Sequence, residues 1–129
     1  MKQVLLVVIG LLLYADTHAQ GRSIQSLIGK WEAVRWRNAG GGLEVEDSTK
    51  LFIVYRGQKK AIVDYKADFS KTPIWFDFTV QDSTGTLSLK SLIQFISDDL
   101  IQWQVFEGEA QLVRFAADTG DTVYLKRRK

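Results

Sequence analysis

Few side chains in this sequence are able to carry chemistry. Its 129 residues include one histidine, His18, and no cysteine. His18 falls in an N-terminal segment that reads as a leader, so the rest of the chain offers neither imidazole nor thiol. That excludes a Ser-His-Asp or Cys-His nucleophile and a zinc site of nitrogen or sulfur ligands. Paired carboxylates remain, with Lys, Ser and Tyr as helpers.

The carboxylates fall into three groups. Asp98-Asp99 sits between two apolar runs in a connection so short that Asp is favoured there for its backbone hydrogen bonds, which reads as a turn. Glu44 to Asp47, "EVED", follows "NAGGG" and gathers oxygens as a calcium loop does. It lacks the alternating Asp ligands and the glycine of such a loop, so the expectation is a solvated loop. Asp64 and Asp77 are expected on the outer faces of adjacent hairpin strands, where Lys60 and Lys66 would pair with them across the strands. A glycosidase needs two carboxyls about 5–10 Å apart in a cleft, and neither these nor Glu32 and Glu109 mark one. The expectation is a protein that is not an enzyme, with no catalytic residue, metal or cofactor; a hydrolase relying on carboxylates alone is the least favoured reading.

Any role for these groups depends on the elements that hold them. "SIQSLIGKW" predicts a short helical turn capped by Ser23, with Ile24, Leu27 and Ile28 on one face and Gly29 at its end. From Trp31 onward the dominant period is two. Strands are predicted at Trp31–Arg37, Leu51–Arg56, Lys60–Ala67, Ile74–Val80, Thr86–Lys90, Leu92–Ser97, Leu100–Phe106 and Thr122–Arg127. Turn signals such as "RGQ", "DFSKTP", "QDSTG" and "SDD" separate them. Eight short strands with no crossover helix describe one all-β antiparallel domain, sandwich or barrel. "QLVRFAAD", from Gln111, is readable as a strand or as one helical turn.

Alternation assigns faces. Ile74, Phe76, Phe78 and Val80 are placed inside, with Trp75, Asp77 and Thr79 outside. Ala61, Val63, Tyr65 and Ala67 are placed inside against Lys60, Asp64 and Lys66. Ile101, Trp103 and Val105 face in, as do Val123 and Leu125, and Arg127 ends the last strand on the inward face. The faces of strand 51–56 stay open. Pro73 stands where a strand starts, so its missing N–H costs no ladder bond.

The first residues set the compartment. Lys2, an apolar run from Val4 to Tyr14, and the small residues Thr17 and Ala19 read as a cleavable secretory signal cut after Ala19. The run is shorter than the roughly 20 residues a membrane span needs, so no transmembrane segment is expected. Residues 20–129 then form the single domain. An exported chain without cysteine stands on its core alone, which favours a bacterial periplasm or exterior. The net charge is +2, and the final "KRRK" accounts for the excess. Basic residues elsewhere are scattered among acids, unlike a nucleic-acid face.

Several motifs together resemble a known group. "LIGKW", Leu27 to Trp31, looks like the Gly-x-Trp start of the first strand in lipocalin-type barrels. With "DFSKTPIWFDFTV", Arg114-Phe115 and the closing "GDTVYLKR", the chain resembles small exported bacterial lipocalin-like domains of the planctomycete and bacteroidete type. "SDDL" departs from their usual Gly-Asp turn. The resemblance implies an up-and-down eight-stranded antiparallel barrel with a short N-terminal helical turn, and it brings no established activity. It also implies that an arginine of the last strand covers the first-strand tryptophan, here Arg127 over Trp31, with Arg35 or Arg128 as substitutes.

Binding is the function class left. The inward list of Trp31, Tyr65, Phe76, Phe78, Phe95 and Trp103 defines the lining available to a ligand. Each ring buries roughly 150–250 Å², so a short barrel is expected to be close to full, with Ala33, Ala61 and Ala67 leaving at most a shallow cup at one mouth. Outward Trp36, Trp75 and Tyr124 are the candidates for a surface interaction. The expectation is a non-catalytic exported binding module for a small, partly apolar molecule or an envelope component, monomeric by default. The rival is a protein-interaction domain with a filled barrel.

Overall fold

The computed structural model describes residues 21–34, 41–106, 111–116 and 122–129. The 3-10 turn Ile24–Leu27 opens it. Ser23 caps the turn, accepting from the Gln25 N–H at 3.3 Å, while the Ser26 hydroxyl accepts from the Ser23 N–H. Eight strands follow: β1 (Gly29–Ala33), β2 (Gly42–Asp47), β3 (Lys50–Tyr55), β4 (Gln58–Asp68), β5 (Ile74–Asp82), β6 (Gly85–Ser97), β7 (Leu100–Phe106) and β8 (Thr122–Arg127). Each pairs antiparallel with the next, and β8 pairs with β1, closing an up-and-down barrel. No helix among the described residues is long and apolar enough to cross a membrane.

The count of eight matches the expectation, yet two of the strands differ. Glu44–Asp47 is not a solvated loop but part of β2. Leu43 and Val45 are buried at 0% and 1% exposure while Glu44 and Glu46 face out, so the alternation was present beneath the glycines and acids. Glu44 is held by Lys59 at 2.8 Å on the neighbouring hairpin. The predicted strands 86–90 and 92–97 are one continuous strand, β6. Its inward row runs Leu89, Ser91, Ile93, and the serine broke the apolar period. Buried Ser91 is satisfied because its hydroxyl donates to the Phe76 carbonyl at 2.6 Å, as a buried polar group requires.

β4 carries the main correction of faces. Register against β5 shifts between Ile62 and Asp64, so Val63 is an extra residue in a bulge. Tyr65 and Ala67 pack against the core, as the alternation says, but on the other side of the bulge the faces invert. Ile62 is buried, Val63 is 54% exposed, Ala61 shares the outer face with Phe52, and Lys60 pairs with Ile53. Lys60 therefore reaches Asp82 at 3.5 Å rather than Asp64 or Asp77. In β3, Leu51 and Ile53 face in, and Phe52 faces out beneath Lys59.

The core fills the barrel and includes Leu27, Trp31, Leu43, Leu51, Phe76, Phe78, Ile93, Ile101 and Trp103. Burying each such side chain stabilises the fold by about 1.5–3 kcal/mol. A second buried set lies outside the wall. Leu92, Gln104 and Phe106 point outward in the β6–β7 register yet are 0%, 0% and 2% exposed. Residues 111–116, neither strand nor helix, are clipped there: the Gln104 amide donates to the Ala116 carbonyl and accepts from the Ala116 N–H. Asp118 lies outside the described residues.

Candidate binding surface

Of the residues expected to line the interior, Trp31, Phe76, Phe78 and Trp103 are buried, and Tyr65 and Phe95 are partly buried against the same cluster. Their rings form a chain of contacts. Ring centroids lie 5.9 Å apart for Tyr65–Phe76, 5.3 Å for the stacked Phe76–Phe78 and 6.0 Å for Phe78–Trp103. Trp31 meets Phe95 edge-on at 6.3 Å. Such spacings are those of packed aromatic pairs, so the axis is occupied by the protein's own side chains. The Trp103 indole N–H is buried with no hydrogen-bond partner among the described residues.

The apolar cup does not form as expected. Ala61 is on the outer face, Ala33 lies where β1 leads toward β2, and Ala67 lies beside the β4–β5 connection at the opposite end.

One barrel end is closed by Arg127. Its guanidinium carbon sits 4.3 Å over the Trp31 ring, and the Trp31 N–H donates to the Leu27 carbonyl at 2.8 Å. Arg127 also donates to Asp99 at 2.9 Å and to the carbonyls of Ile28, Ser26 and Asp98. Arg128 instead reaches Glu32 at 3.3 Å on the surface. Asp98-Asp99 is the β6–β7 turn, and it serves this lock besides turning the chain.

An open depression of about 410 Å³ lies on the outer face of β4, β5 and β6. Register builds it. One wall is Lys66–Asp77–Lys90, in line across the three strands, and the other is Asp64–Thr79–Ser88. Tyr65, Phe78 and Leu89 point inward, so between the walls their backbone forms the floor. Asp77 Oδ2 is 3.6 Å from Lys90 Nζ, while Asp77 Oδ1 is buried with no hydrogen-bond partner among the described residues. The Thr79 and Ser88 hydroxyls bond to each other at 2.8 Å. Asp64 and Lys66 form no ion pair among the described residues.

Trp75 stands two residues before Asp77 on the same face of β5, with the Lys71 ammonium 5.0 Å over its ring. Tyr124 is 46% exposed on β8, far around the barrel, next to Val34, whose N–H donates to the Tyr124 carbonyl. Trp36, Arg35, Arg37, Glu109 and residues 1–19, where a leader is expected, lie outside the described residues. Among the described residues no cluster of three or more His, Cys, Asp or Glu is placed to hold a metal ion.

Asp64 and Asp77 were legible as an outward pair on adjacent strands. Thr79 was assigned outward without a role, and Ser88 and Lys90 were not singled out. Their signal was there, since Ser88 and Lys90 flank Leu89 as Asp77 and Thr79 flank Phe78, but only the β5–β6 register sets the two pairs side by side. No protein-family model, curated protein or solved structure matches the chain.

Proposed function

We propose that the protein is an exported, non-catalytic binding module that works from its outer wall, with a component of the bacterial envelope as its target. The observation that carries this reading is the contrast between the two sides of β5. Inward, Phe76 and Phe78 belong to an unbroken chain of rings. Outward, Asp77 and Thr79 face an open depression lined by charged and hydroxyl side chains. A volume of about 410 Å³ falls within the roughly 300–1,000 Å³ of small-ligand sites.

The leader pattern of residues 1–19 supports export to a bacterial periplasm or exterior. The spaced motifs from "LIGKW" to "GDTVYLKR", together with a closed eight-stranded barrel, support a place among exported lipocalin-like domains. Binding without catalysis is supported by the character of the depression: its two hydroxyls hold each other, and no imidazole or thiol stands beside them.

Sedimentation with isolated bacterial envelopes tests the reading. The purified protein should pellet with envelopes and be released from them by Asp77→Ala, with Tyr124→Ala pelleting normally. Protein that stays in the supernatant would sink the proposal.

A second reading, a small and partly apolar guest inside the barrel, draws on one observation. The Trp103 N–H is a buried donor without an acceptor, and leaving one unmade costs about 1–3 kcal/mol. Native mass spectrometry of protein recovered from the periplasm separates the two readings: a co-purifying small molecule favours the interior, and a bare apo mass favours the wall.

A further inference from the structure

We infer that the depression on β4–β6 is a saccharide subsite that takes the vicinal diol of a neutral sugar residue. The inference rests on the outer-wall reading and names its ligand class. Two aspartates and two lysines face the depression, so its formal charge cancels and it selects for neither an anion nor a cation. What it does offer is hydrogen-bonding groups of both kinds side by side. The Asp77 and Asp64 carboxylates can only accept, and the Lys66 ammonium can only donate. Asp64 and Lys66 form no ion pair among the described residues, and Asp77 Oδ2 meets Lys90 only at 3.6 Å.

A hydroxyl both donates and accepts. Two hydroxyls on adjacent carbons therefore suit this wall: one donates to the outer carboxylate oxygen, Asp77 Oδ2, while its neighbour accepts from Lys66, the cross-strand partner of Asp77. A carboxylate or phosphate ligand would set its charge against Asp77 and Asp64, and an ammonium would meet Lys66 and Lys90. An apolar ligand would take water from the carboxylates and ammoniums without replacing its hydrogen bonds. Trp75, on the same face and beside Asp77 along β5, supplies an aromatic plane for the C–H face of the next sugar residue once the exposed Lys71 side chain swings aside.

The test is an amide chemical-shift titration of residues 20–129 with two soluble probes. Cellotetraose carries a free 2,3-diol on every residue, whereas in chitotetraose an acetamido group replaces the 2-hydroxyl throughout and a vicinal diol is left only at the non-reducing end. Cellotetraose should shift the amides of 64–66, 77–79 and 88–90 and change Trp75 fluorescence, and chitotetraose should bind at least about tenfold more weakly. Asp77→Ala and Lys66→Ala should each weaken cellotetraose by at least about tenfold, the loss expected for a hydrogen bond to a charged group. Retained spectral dispersion in either variant guards against misfolding, and Tyr124→Ala should titrate as the parent does. Equal binding of the two probes, or shifts confined to another face, would overturn the diol assignment. No shift with either probe while the protein still pellets with envelopes would also overturn it, leaving the outer-wall reading in place. Failure of both experiments would remove both.

Discussion

The Arg127 guanidinium carbon lies 4.3 Å above the Trp31 ring, on the residue that pairs with Trp31 across the closing β1–β8 seam. One side chain thus joins the last strand to the first, to the 3-10 turn through Ser26 and Ile28, and to the β6–β7 turn through Asp98 and Asp99. These contacts tie together segments far apart in sequence.

Replacing Arg127 with Ala should therefore lower the unfolding free energy by about 2–4 kcal/mol. A cation over an indole contributes about 0.5–2 kcal/mol, hydrogen bonds from a charged donor add about 1.5–3 kcal/mol each where buried, and partial solvent exposure reduces the sum. Arg127→Lys should recover less than half, since an ammonium cannot reach several carbonyls in one plane while lying over the ring. Urea denaturation followed by tryptophan fluorescence measures both. A loss below about 0.5 kcal/mol for Arg127→Ala would mean the lock is ornamental.

Gly29 belongs to the same lock. Its φ of 138° lies in the region that only glycine occupies readily, and an added Cβ would stand 3.0 Å from Arg127 Nη1. Gly29→Ala should cost about 1–3 kcal/mol through backbone strain, with crowding of Arg127 on top. In the Gly29→Ala/Arg127→Ala double variant the crowding is gone, so the combined loss should fall short of the sum of the two. Strict additivity would place the whole effect in the backbone.

The β3–β4 hairpin offers a gain in stability. Tyr55 pairs with Gln58, and the two turn residues between them both have positive φ, 51° at Arg56 and 76° at Gly57. That is the pattern of a type I′ turn, whose first position favours Asn, Asp or Gly. Arg56→Asn should raise stability by about 0.5–1 kcal/mol by relieving a non-glycine residue held in the left-handed region, even after losing the Arg56 contact over Tyr55 at 5.3 Å. Thermal unfolding should show a higher midpoint. Gly57→Ala should lower it.

β5 shows how much of this was legible. From Ile74 to Val80 the alternation holds without a break, Ile74, Phe76, Phe78 and Val80 facing in and Trp75, Asp77 and Thr79 facing out, because nothing along that strand disturbs the pleat. β4 looked equally regular from Ala61 to Ala67, and there the period misled. A bulge is set by which partner a strand finds, and no local feature of "AIVDYKA" marks Val63 as the residue left over. Ser91 and the acids of β2 concealed strands for a related reason. A polar residue inside, or a run of charges outside, costs little once a carbonyl of the neighbouring strand or a lysine two strands away satisfies it, and that partner is unknown until the register is. For the same reason Asp64 and Asp77 could be picked out singly, while the depression they share with Ser88 and Lys90 could not.

The turns predict how stability should respond to pH. Asp47 is held below its ordinary value of 3.8 chiefly by the Thr49 hydroxyl and N–H, and Asp68 by the Ser70 hydroxyl and N–H. Asp82 is lowered first by the Ser83 N–H, then by its hydroxyl and by Lys60. A folded pKa below the unfolded one means that the unfolded state binds protons first as the solution is acidified. The contribution of each carboxylate is complete above 3.8 and is lost as pH falls through its lowered folded value. Lys59 runs the other way: the hydrogen bond from its ammonium to Glu44 raises it above 10.5, so its contribution is complete below 10.5 and is lost as pH rises through the folded value. Residues 20–129 contain no histidine to titrate between these limits. The urea midpoint should therefore be nearly flat from about pH 5 to 9 and fall on the acid side below about pH 4. Asp47→Asn, Asp68→Asn and Asp82→Asn combined should lower the midpoint at pH 7 and flatten the acid limb. A parent whose midpoint drops between pH 5 and 7, or a triple variant with the parent's acid slope, would show that these turns do not govern the response.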